Sequence, residues 1–163
     1  MYEATLFTIR RDGPGRLSTM ARPQGGGLLA GQMRQLAAAG VTICVSMLAD
    51  AEMLELGLAA EPDAAGAAGI AFSRLPTPDF GVPDRTGTLA LAADLASALR
   101  DDAGVVVHCR GGVGRSTVLA AAVLVREGLT AAQAVERISA ARGMPVPETA
   151  EQRAFIASLR PPG

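Results

Sequence analysis

Lysine, asparagine and tryptophan are absent from this chain of 163 residues, and all 15 of its basic residues are arginine. Without lysine there is no Schiff-base amine and no phosphate-binding lysine of the P-loop kind. Histidine occurs once, at His108, and cysteine twice, at Cys44 and Cys109. These are too few soft ligands for a structural zinc site, so any metal would have to draw mostly on carboxylates. Charge is sparse as well, at 19% of residues with a formal net charge of -1, which argues against broad electrostatic binding to nucleic acid. The longest purely apolar run, residues 118–125, is far shorter than the roughly 20 residues that cross a bilayer. Residues 1–15 lack the basic-then-apolar layout of a secretory signal. The chain therefore reads as cytoplasmic, with no membrane or nucleic-acid partner, and its two cysteines as reduced thiols.

What is present is a large apolar fraction, 49%, enough to build one core, and a single domain over 1–163 is expected. Strand-like and helix-like stretches alternate, which predicts an α/β fold with a central, mainly parallel sheet flanked by helices. Strands are expected at 4–9, 17–20, 41–47, 70–75 and 104–108. Helices are expected at 28–39, 88–100, 116–126, 130–142 and 149–159, with one or two short surface helices in the alanine-rich segment 51–69. Three prolines within 76–84 make that segment a loop. Cys44 falls in a core strand with no basic neighbour and reads as a small buried hydrophobe; its functional alternative is a resolving thiol for Cys109.

The densest local signal is HCRGGVGRS, which follows the apolar strand GVVVH and opens an apolar helix. Glycines let successive backbone N–H groups converge, a helix start adds its positive end, and Arg115 supplies a planar fork for phosphate or sulfate oxygens. Cys109 stands at the entrance of this anion site. A cysteine of ordinary pKa is only about 3% ionised at neutral pH. Surroundings of this kind favour the thiolate and so make a nucleophile.

His108, Cys109, Arg115 and Ser116 fit H-C-x5-R-[S/T], and in this the chain resembles the cysteine-dependent protein tyrosine and dual-specificity phosphatases. The resemblance implies a phosphatase fold of that superfamily and no metal or organic cofactor. It implies that Cys109 attacks phosphorus, that Arg110, Gly111, Gly112, Val113, Gly114 and Arg115 form the loop that binds the phosphoryl oxygens, and that a phosphate or sulfate ion would sit there. Ser116 would ease thiolate departure, with a helix N-cap as its plainer role, and His108 would orient the loop and tune the thiol.

An ester leaving group needs a proton. Asp79 and Asp84 lie in the proline-rich loop PTPDFGVPD, which resembles the general-acid loop of the kinase-associated and related small dual-specificity phosphatases. On that match Asp79 is the acid, while Asp84, at the loop's end, can cap the next helix. Gln152 is the candidate for placing the hydrolytic water, or equally the second half of a Thr149-x-x-Gln152 capping box. Thr130-x-x-Gln133 shows the same box pattern. Tyr2 is the only tyrosine and precedes the expected core, so a shallow pocket of the dual-specificity kind is expected. Arg22 could touch substrate or merely lie at the surface. The expected substrate is a phosphorylated protein or peptide. Two alternatives remain from the residues: a rhodanese-type sulfurtransferase, which would need no upstream acid, and a catalytically dead phosphate-binding module.

Overall fold

The computed structural model describes residues 4–163, so Tyr2 lies outside the described residues. Five strands form one sheet: β1 (Phe7–Thr8), β2 (Arg16–Met20), β3 (Ile43–Ser46), β4 (Ala71–Arg74) and β5 (Gly104–His108), in the spatial order β1-β2-β5-β3-β4. Only β1 is antiparallel to its neighbour; the pairs of β2 with β5, β5 with β3 and β3 with β4 are all parallel. The expected mainly parallel sheet is present. Seven helices connect and flank it: α1 (Leu29–Ala38), α2 (Asp50–Glu55), α3 (Glu61–Ala67), α4 (Arg85–Arg100), α5 (Arg115–Arg126), α6 (Ala131–Arg142) and α7 (Ala150–Ala157).

Strand β5 is buried on both faces, which is why GVVVH carries no alternation. Because successive side chains point to opposite faces, Val105 and Val107 join one apolar cluster with Leu95 and Leu99 of α4 and Leu119 and Val123 of α5. Val106 joins a second cluster with Met33 and Leu36 of α1, Cys44 of β3 and Ala65 of α3. Helix α5 packs against the sheet, α4, α6 and α7, and every residue from Arg115 to Val125 is buried. A helix that is apolar all round belongs in such a central position.

Several element ends differ from expectation for local reasons. Strand β1 keeps only two of the six residues expected at 4–9. Helix α4 starts three residues early because the Asp84 carboxylate accepts from the Gly87 N–H at 2.7 Å and so caps its first turn. The segment 51–69 forms two short helices, but it is not simply a surface layer: Met53, Leu58 and Ala65 are buried there, as are the carboxylates Glu52 and Glu61. No helix among the described residues is long and apolar enough to cross a membrane.

Candidate active site

Three parallel strands side by side, β5, β3 and β4, end on the same edge of the sheet, and the segments leaving them carry Cys109, Glu52 and Asp79 respectively. Sites of open α/β sheets gather at this carboxyl edge. The loop from Cys109 to Gly114 runs from β5 into the first turn of α5, which has no side-chain cap. Its backbone is fixed by close contacts. Gly112 has φ +72°, and an added Cβ there would stand 2.7 Å from the Met20 carbonyl carbon, so only glycine fits. An added Cβ at Gly114 would stand 2.6 Å from Glu148 Oε1 and 2.8 Å from the Gln152 amide nitrogen. The main-chain N–H of Arg22 donates to the Arg110 carbonyl at 3.1 Å, while its guanidinium turns back to Pro23.

Cys109 is buried, with Sγ 3.4 Å from Ser116 Oγ. Ser116 is the second residue of α5 and Gly114 is the cap position, so the N-cap role expected as an alternative for Ser116 does not hold. Arg115, 1% exposed, points from α5 toward the ends of β3 and β4. Its Nη1 donates to Glu52 Oε1 at 2.6 Å and to the Thr77 carbonyl at 2.8 Å; Nη2 donates to Glu52 Oε2 at 3.0 Å and to Asp79 Oδ1 at 3.0 Å. Burial alone would push the guanidinium pKa down, but the Glu52 hydrogen bond, the neighbouring Cys109 and the Glu52 and Asp79 charges carry it up, so the cation persists. The Arg115 hydrogen bond in turn draws the Glu52 carboxyl below its ordinary range. Arg110 extends the network outward to Glu52 and Glu55.

Asp79 thus stands in the site, in contact with Arg115, and Asp84 stands apart from it as a helix cap. The Asp79 carboxylate also accepts the N–H of Phe80, a residue with φ +63° whose ring is exposed. Gln152 forms the expected capping box and makes a second contact across the site. Its Oε1 accepts from the Thr149 N–H at 3.2 Å, completing the capping box, while its Nε2 donates to the Gly81 carbonyl at 3.1 Å and ties α7 to the Asp79 loop. Thr130 and Gln133 form the box expected at α6.

Three residues of this region were not singled out by sequence reasoning. Glu52 was hidden in an alanine-rich stretch; the available signal was that a buried arginine needs a carboxylate partner. Arg142 of α6 stacks on Phe7 and donates to the carbonyls of Gly112 at 3.3 Å and Gly111 at 3.4 Å, bracing the loop from outside. Glu61 meets His108 and Cys44 beneath the loop. Those three donors lie within 4.8 Å of one another. The His108 Nε2 to Glu61 Oε2 distance of 2.6 Å, however, is that of a hydrogen bond, shorter than the about 3.3 Å between ligands of one tetrahedral zinc ion. Cys44 lies in the cluster on the opposite sheet face from Cys109, which removes the resolving-thiol alternative.

Residues 18–129 match the family model described as Polymorphic toxin system, DSP-PTPase phosphatase. The chain belongs to this DSP-PTPase family. Among curated relatives, this DSP-PTPase chain is 30% identical over 94 residues to cyclin-dependent kinase inhibitor 3 of Rattus norvegicus, covering 56% of this chain and 44% of that protein. The Homo sapiens protein of the same name is 28% identical over 94 residues, with the same coverage. The chain thus matches less than half the length of these relatives. In structure, it is similar to kinase associated phosphatase carrying serine in place of its catalytic-site cysteine, with TM-score 0.86 and 19% identity over 96% of this chain and 93% of that one. It is also similar to Tk-PTP in its active form, with TM-score 0.76 and 24% identity over 93% and 95% of the two chains. The fold is that of the dual-specificity phosphatases.

Proposed function

We propose that the chain is a phosphoprotein phosphatase that hydrolyses phosphotyrosine, and phosphoserine or phosphothreonine as well, through a phosphocysteine intermediate. The observation that supports this reading is the ion pair between Arg115 and Asp79, formed by an arginine whose cation is also favoured by the neighbouring buried Cys109. A phosphoryl group entering the loop as its monoanion takes the place of the Asp79 carboxylate on Arg115, and the displaced carboxylate takes up the phosphate's proton and, now an acid, faces the leaving oxygen. Cys109 Sγ then attacks phosphorus, the ester P–O bond breaks, and the leaving oxygen takes the Asp79 proton. In the second step water attacks phosphorus, gives its proton to Asp79, and the S–P bond breaks to release phosphate and thiolate, with the Ser116 hydroxyl donating to Sγ.

Gln152, whose amide lies beside Gly114 and the Asp79 loop, is the residue we assign to holding that water. Loop amides of residues 110–114 with Arg115 bind the phosphoryl oxygens, and inorganic phosphate or sulfate would occupy the same place. Two free thiols suit a reducing compartment, and we infer a cytoplasmic site of action in one domain. The family's description, a polymorphic toxin system, is the context we infer, with a phosphoprotein as target. Hydrolysis of an aryl phosphate by the purified chain in chelator tests the reading. Turnover that disappears in Cys109→Ser supports it. An inert wild type that makes thiocyanate from thiosulfate and cyanide would replace it with sulfur transfer, and a chain that binds phosphate without turnover would be a recognition module.

A further inference from the structure

Beneath the phosphate loop, on the face of β5 away from α5, lies a wholly buried ionisable pair that the proposed chemistry does not use. Glu61 is the first residue of α3 and is 0% exposed, as is His108. His108 Nε2 stands 2.6 Å from Glu61 Oε2, and its Nδ1 stands 3.2 Å from the main-chain carbonyl oxygen of Cys109. A carbonyl can only accept, so the second contact requires a proton on Nδ1. With Nδ1 protonated, Nε2 can be matched to a carboxyl oxygen only if one further proton lies between them. Glu61 therefore selects the form of the ring that donates to Cys109.

The Cys44 thiol donates to the same Oε2 at 3.7 Å, and burial first, then the Glu61 charge and hydrogen bond, hold that thiol well above its ordinary pKa, so it remains a donor. Glu61 Oε1 has no hydrogen-bond partner among the described residues. A buried carboxylate with an orphaned oxygen is a poor device for stability, since an apolar side chain would pack there at lower cost. Its position gives it another use.

We propose that Glu61 is a positioning residue for the nucleophile, acting through His108 to fix the carbonyl of Cys109 and with it the direction of Sγ and of the amides that follow. The chain of contacts runs α3, β5, loop, and each link is a hydrogen bond between buried groups. Glu61 touches neither substrate nor phosphorus. The inference rests on the phosphatase reading only for its kinetic consequence.

Three measurements on the full chain test it. His108 is the only histidine, so a long-range proton–nitrogen correlation spectrum shows a single ring, and a proton on Nδ1 is expected; a ring protonated at Nε2 with a bare Nδ1 overturns the proposal. Glu61→Gln should slow alkylation of Cys109 by iodoacetamide near neutral pH, read by peptide mass. It should also lower kcat on p-nitrophenyl phosphate about tenfold with KM within about twofold, as loss of a group orienting a reactive residue does, and Glu61→Asp should recover part of both. A folded Glu61→Gln protein with unchanged alkylation and kcat overturns the proposal, and so does a fall in thermal midpoint with alkylation untouched. If Glu61→Gln does not fold, the ring spectrum of the wild type decides. The spectrum and the alkylation need no turnover, so a wild type inert toward aryl phosphates would sink the phosphatase reading while these two measurements still decide the role of Glu61.

Discussion

Glu52 grips Arg115 with both carboxylate oxygens, Oε1 at 2.6 Å from Nη1 and Oε2 at 3.0 Å from Nη2. This bidentate fork sets the plane of the guanidinium before any anion arrives. Removing the carboxylate leaves a buried cation with only Asp79 and carbonyls around it. Glu52→Ala should cost about 3 kcal/mol of stability in urea unfolding. Loss of the preset plane should also raise KM for phosphate monoesters.

The same pair shapes stability in acid. The Arg115 hydrogen bond holds the folded-state pKa of Glu52 below its unfolded value of about 4.3. A depressed carboxylate contributes stability that is present above the unfolded pKa and is lost as pH falls through the folded one. Urea midpoints measured from neutral pH downward should fall through and below about pH 4 in the wild type, and the slope should be shallower in Glu52→Gln.

Asp79 is assigned the proton that the leaving group takes. Asp79→Asn should lower kcat by about 10² to 10⁴ on alkyl phosphates and by less on p-nitrophenyl phosphate, whose leaving group needs little help. In the pH–rate profile the alkaline decline, which reports deprotonation of the acid, should vanish. A profile that keeps this limb would move the acid elsewhere.

Gly112 sits where any side chain meets main chain at 2.7 Å, with a backbone that L-residues disfavour. Gly112→Ala should therefore displace the loop rather than the fold. Circular dichroism should match the wild type, while kcat/KM drops about 100-fold or more because misplaced amides no longer meet the oxygens.

Arg142 braces the outer carbonyls of the loop and lies over the Phe7 ring at 4.2 Å. Arg142→Ala should cost about 1 kcal/mol of stability and raise KM. Arg142→Lys should not restore KM, since a point charge cannot reach Gly111 and Gly112 together while stacking on Phe7.

The strand, glycine loop and helix around Cys109 were legible because their parts are consecutive: a two-sided apolar strand, glycines, an arginine and an apolar helix state their geometry within one stretch. The irregular loop that carries Asp79 and Asp84 was legible because prolines rule out regular structure there, and the choice between the two came from the resemblance. Glu52 and Glu61 were not, since each is defined by a partner 63 or 47 residues away, and their alanine-rich surroundings look like a solvated helix. The start of α4 was misjudged because Arg85, Thr86 and Gly87 make a weak helical opening, and the Asp84 cap outweighs that weakness. For Gln152 the capping box is real, yet its other end reaches Gly81 across the site, a contact no local pattern shows.

The sheet lies between the two thiols. Cys44 is sealed beneath it with Glu61, and Cys109 faces α5 above it. Should peroxide convert Cys109 to a sulfenic acid, Cys44 cannot condense with it to close a disulfide. Recovery must come from a diffusible thiol such as glutathione, acting on the sulfenic acid itself or on the sulfenamide ring that a neighbouring main-chain nitrogen closes with it by loss of water. The partition built into the fold therefore makes the return of Cys109 from oxidation depend on the reductant around the chain rather than on its own second cysteine.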